Sequence, residues 1–121
     1  MKGRQDELTI EMQTDGLEVR GEQWGDMAVK RYELPAGLDF TPMLQGLPDD
    51  LCQCPHWGQV VDGAMHIRYA DGTEEVARAG EFFYWPEGHT AWTEDGATFI
   101  EVSPADELRT VMEHVSANMA G

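Results

Sequence analysis

The stretch Gly80-Glu81-Phe82-Phe83-Tyr84-Trp85-Pro86-Glu87-Gly88 decides how this chain is read. Side chains in a strand alternate between faces, so Phe83 and Trp85 share one face and Phe82 and Tyr84 the other. One pair is expected to fill an interior and the other to meet a helix or a partner subunit. Pro86-Glu87-Gly88 then turns the chain, because proline fixes φ and glycine accepts positive φ.

Downstream, His89 to Thr93 and Ala97 to Ser103 read as short strands parted by Asp95-Gly96. Upstream, Thr73 to Ala79 is a strand entered through the hairpin signal Asp71-Gly72. Ala64 to Ala70 alternates, with Met65, Ile67 and Tyr69 facing one way and His66 and Arg68 the other. Val60-Val61-Asp62-Gly63 reads as a strand running into a tight turn. Leu51 to Gln59 is a strand candidate after the turn Leu47-Pro48-Asp49-Asp50. Leu17 to Leu34 reads as two strands broken at Trp24-Gly25-Asp26, with Ala28, Lys30, Tyr32 and Leu34 on one face. Turn signals at such short intervals imply an all-β sandwich or barrel over residues 16–103. Residues 1–15 are polar and expected to be loosely ordered.

The C-terminus has a different period. Leu108, Met112, Val115 and Met119 recur at helical spacing beside Val111. Ser103 is the expected cap, Pro104 suits the first turn and Asp106 the capping box. One amphipathic helix is therefore expected over 104–118, packed on the outside of the barrel.

A length of 121 residues allows one domain, and 41% hydrophobic residues provide a core for it. Twenty-three acidic residues against 8 basic give a formal net charge of −15. Such a surface repels phosphate backbones and anionic lipid, which argues against nucleic-acid and membrane partners. No apolar run is long enough to span a bilayer, and the polar start does not resemble a signal peptide. A cytoplasmic location is expected, where Cys52 and Cys54 stay reduced. No nucleophile elbow, phosphate loop or dinucleotide fingerprint occurs.

Gly80 to Gly88 resembles the second motif of the cupins: Gly, five residues, Pro, any residue, Gly. Val60 to Ile67 looks like the hairpin that closes their first motif. The resemblance covers roughly residues 46–104 and implies a cupin-type double-stranded β-helix, or jelly-roll barrel, with a C-terminal helix. In that family a His-x-His pair, a Glu and a later His hold a divalent metal. This chain departs from the pattern. Anchored on Gly46, the His-x-His positions are Cys52 and Cys54, and Gln59 replaces the Glu. Anchored on Gly63, the Glu position is His56, the second His is Cys52 and the first is Asp50. The later His becomes Ala91.

The residues themselves offer a substitute site. Residues two apart in a strand share a face, so Cys52, Cys54 and His56 would line up, and His89 shares a face with Ala91. Thiolates and imidazoles suit zinc, with iron or nickel as alternatives. Cys52, His56 and His89 are the favoured ligands, and Cys54 is the fourth candidate. The competing reading makes both cysteines small apolar filler. Gln59, Trp57, Met65, Phe83 and Trp85 are expected to line a pocket for an apolar or aromatic small molecule. Three functions follow as expectations. The first is a small-molecule-binding cupin with a divalent metal. The second is a zinc- or iron-dependent isomerase, cyclase, lyase or dioxygenase. The third is an assembly module whose lumen is filled. The resemblance also implies a homodimer.

Overall fold

The fold is described by a computed structural model covering residues 1–120. Among the described residues, eight strands precede one α-helix: β1 (Thr9–Thr14), β2 (Leu17–Trp24), β3 (Met27–Leu34), β4 (His56–Tyr69), β5 (Glu74–Arg78), β6 (Phe82–Trp85), β7 (His89–Trp92), β8 (Ala97–Pro104) and α1 (Ala105–Ala120). Every strand pairing is antiparallel. Strands β1, β2, β3, β8, β4 and β6 are hydrogen-bonded neighbours in that order, and the far half of β4 pairs with β5 and β7. The all-β wall and single C-terminal helix agree with the sequence.

Strand β4 joins the two sheets. Its first half lies between β8 and β6, and Ala64–Tyr69 lie between β5 and β7. The switch occurs at a bulge between Val60 and Asp62, where one extra residue bends the strand. Asp62-Gly63 is therefore not the hairpin turn that the sequence suggested. Gly63 supplies the positive φ, 73°, inside a continuous strand. A Cβ there would lie 2.1 Å from the Gly96 carbonyl oxygen. A dipeptide that ends most strands here bends one.

The segment 51–55 is a second correction. No regular strand forms over 51–55, and Cys52 makes only an isolated bridge to His89. Pro55 has no N–H to give a ladder, which keeps this segment out of the sheet. At the N-terminus, β1 forms within the segment expected to be loosely ordered, paired along β2.

The core has two parts. Leu17, Val19, Tyr32, Val60, Met65, Ile67, Trp85 and Phe99 fill the space between the sheets. Ala28, Leu44, Cys52, Cys54, Leu108, Val111 and Val115 form the second part beneath α1. The helix does not sit on the outer wall. Its buried stripe closes the interior, and Leu108, Val111, Met112 and Val115 line the same cavity as Met65 and Trp85. Ser103 does not cap it either. That residue belongs to β8 and points inward, fully buried.

Candidate metal centre

Three segments converge inside the barrel. The loop before β4 brings Cys52, the first residue of β4 is His56, and the first residue of β7 is His89. The bridge between Cys52 and His89 fixes the approach, with Cys52 N–H donating to the His89 carbonyl at 2.8 Å. One donor atom from each of the three lies within 4.8 Å of the others, and all three residues are buried.

Hydrogen bonds set which nitrogens face the centre. His89 Nδ1 lies 2.7 Å from the Pro86 carbonyl oxygen, which can only accept, so Nδ1 carries a proton and Nε2 is the nitrogen left free of that bond. His56 Nδ1 lies 2.7 Å from both Ser103 Oγ and Glu101 Oε2. The Ser103 hydroxyl donates to the same carboxylate at 2.8 Å. His56 Nε2 is left facing Cys52 Sγ at 3.5 Å.

The electrostatics are those of a buried charge cluster. Burial pushes the Cys52 thiol up, but hydrogen bonds from His56 and His89, together with their charge, outweigh it and bring the pKa to about 6. Burial opposes a charged His56, yet the Glu101 carboxylate and the thiols hold its pKa well above the usual value. Burial also works against ionised Glu101, and His56 overcomes it, so the carboxyl stays below its ordinary range.

The donor set fits a metal. Tetrahedral zinc with Zn–S of about 2.3 Å and Zn–N of about 2.05 Å separates sulfur from nitrogen by about 3.5 Å. That is the Cys52 Sγ to His56 Nε2 spacing. Each imidazole has its outer nitrogen bonded to an acceptor, the arrangement that orients histidine ligands.

The remaining sequence candidates divide. Met65 and Trp85 line the cavity. Cys54 is buried but stands outside the triad, its thiol reaching the carbonyls of Pro55 at 3.5 Å and Pro104 at 3.9 Å. Burial pushes that thiol up despite the pull of nearby His56. Strand alternation does not apply across 52–55, so Cys54 does not share the face of Cys52. Asp50 accepts a hydrogen bond from the Gly46 N–H in an exposed turn. Gln59 donates to the Gly80 carbonyl outside the cavity. Trp57 stacks on Tyr84 on the outer face, ring centroids 5.1 Å apart. Phe83 stands behind Trp85, stacked at 3.7 Å, and does not line the cavity. Of the two registers of the first motif, the one anchored on Gly63 brings Cys52 and His56 together. Ala91 lines the cavity without a donor, and His89 supplies the imidazole from two residues earlier.

Glu101 was not among the sequence candidates. The signal was available in β8, where Ala97, Phe99, Glu101 and Ser103 share the inward face. An acid on an apolar inward face requires a buried partner.

No family model matches the chain, and no curated protein matches it. Solved structures do. A protein of unknown function from Rhizobium leguminosarum superposes with a TM-score of 0.63 at 19% identity, covering 85% of this chain and 94% of that one. An RmlC-like cupin from Shewanella frigidimarina gives 0.59 at 20% identity, covering 84% and 88%. Oxalate decarboxylase from Bacillus subtilis gives 0.58 at 16% identity, covering 83% of this chain but 28% of that one. The fold is thus the cupin-type β-barrel that the Gly80–Gly88 motif implied.

Proposed function

We propose that this barrel is a small-molecule-binding protein that holds a divalent metal, zinc in preference to iron or nickel, through Cys52, His56 and His89. The observation that carries the reading is the convergence of one thiol and two oriented imidazoles in a buried cavity. One thiolate with two imidazoles suits zinc better than magnesium or calcium. Three protein ligands would leave a fourth position open toward the cavity, where a small molecule can bind. Bound there, the metal would supply Lewis-acid polarisation.

A second reading, a metal-dependent isomerase, cyclase, lyase or dioxygenase, draws on that open position and on the Glu101–Ser103–His56 chain. Turnover would need a proton acceptor beside the ligand, and Glu101, which lines the cavity and is bonded to His56 and Ser103, is the candidate.

Metal content by elemental analysis tests the primary reading. Tag-free protein should carry about one zinc per chain. A Cys52→Ser/His56→Ala variant should carry none, and Cys54→Ser should retain it. A parent protein that stays empty after incubation with zinc, iron, manganese and nickel would end the metal reading.

Assembly as a homodimer in the cytoplasm completes the proposal. Phe82 and Tyr84 of β6 and Trp57 of β4 form an exposed aromatic group on the outer sheet face. Exposed apolar groups of this kind mark contact surfaces.

A further inference from the structure

One residue of the cavity lining carries a polar group left over. Trp85 Nε1 is buried and, among the described residues, is the one buried side-chain nitrogen or oxygen without a hydrogen-bond partner. Its ring is held by the stack on Phe83 and by an edge contact to Phe99 at 5.5 Å. His56 and His89 lie at ring distances of 6.3 and 6.1 Å, so the indole stands beside the proposed metal centre. An indole N–H can only donate. Leaving such a donor unpaired in an apolar interior is unfavourable, so the position favours an incoming acceptor.

The rest of the lining defines what carries that acceptor. Among the described residues, no lysine or arginine lines the cavity, and its walls are mainly aliphatic and aromatic. The acidic groups present are the Cys52 thiol, Glu101 and the Tyr32 phenol, which burial keeps neutral. A dication at the triad would be balanced by one thiolate and one carboxylate, which leaves no net positive charge for an anionic ligand. The free volume is about 50 Å³, room for a ligand of only a few heavy atoms beyond local adjustment.

We infer that the ligand is a small neutral molecule, largely hydrocarbon, with one oxygen acceptor that takes the Trp85 indole N–H. This rests on the reading of the cavity as the ligand site and does not require the metal to be bound. It also separates this cavity from one built for a small dicarboxylate such as oxalate.

Nitrogen-15-labelled protein tests it, with the Trp85 indole signal identified by a Trp85→Phe variant or, if that variant does not fold, by sequential assignment. Acetone, propane and acetate are the probes, matched in size and each titrated into metal-free and zinc-loaded protein. Acetone should move the Trp85 indole N–H downfield. Propane should perturb the backbone N–H signals of Leu108, Val111 and Val115 without that displacement. Acetate should do neither, and Trp85→Phe should weaken acetone binding about fivefold to tenfold while sparing propane. The inference is overturned if acetate binds more tightly than the ketone, or if the ketone leaves the indole N–H unmoved. A ketone response in protein that never takes up zinc would end the metal reading alone. Zinc uptake without a ketone response would end this inference alone.

Discussion

Glu101 is the residue whose removal says most about the centre. It is 3% exposed and bonded to His56 and Ser103, so it fixes the ring that faces Cys52. Glu101→Gln should weaken zinc binding about 10- to 100-fold, measured by competition with a chromophoric chelator. The same residue sets an acid limit. Its carboxyl is held below the ordinary 4.5, so its contribution to stability is complete above that pH and disappears as pH falls through the lowered value. Thermal melts of metal-free protein should therefore lose stability below about pH 4.5, with a smaller slope in Glu101→Gln. Cys52 offers a second titration. Its thiolate absorbance in a Cys54→Ser background should rise with a midpoint of about 6, and His56→Ala should move that midpoint upward. At this scale the sequence was legible where chemistry is unusual. Cys52, His56 and His89 stood out as donors, but no local pattern could show that Cys54 stands outside their triad. Glu101 was legible in principle from the inward alternation of β8, and only its partner in β4 explains it.

Among the elements, β4 shows how far turn signals can be trusted. Asp71-Gly72 closes the β4–β5 hairpin, as such a dipeptide should. Asp62-Gly63 looks the same locally but lies in a bulge, because Val60 to Gly63 pair with β8 instead of turning back. Long-range pairing overrides the local preference there. Gly63→Ala should destabilise the protein by roughly 2–3 kcal/mol in urea unfolding, since the new Cβ meets the Gly96 carbonyl at positive φ. Gly80→Ala, also at positive φ but with no atom near its Cβ, should cost only about 1 kcal/mol. The helix teaches a related lesson. Its buried stripe was readable from spacing, but the surface it covers depends on where β3 and β8 leave the interior open.

For the whole molecule, the aromatic run at 82–85 fixed the architecture because its two faces have different fates. Trp85 is 2% exposed inside, whereas Phe82 is 81% exposed outside. That outer face supports the dimer proposal, and Phe82→Ser combined with Trp57→Ser should shift sedimentation from dimer to monomer without unfolding. With a formal charge of −15, association through this face should strengthen with added salt, as repulsion between like chains is screened. The central claim is that one thiol and two imidazoles bind a metal within the barrel. X-ray absorption at the zinc edge on the zinc-loaded protein tests it most directly. The account predicts one sulfur at about 2.3 Å with nitrogen or oxygen neighbours at about 2.0–2.1 Å, the sulfur disappearing in Cys52→Ser. A first shell with two sulfurs, or with none, would contradict it.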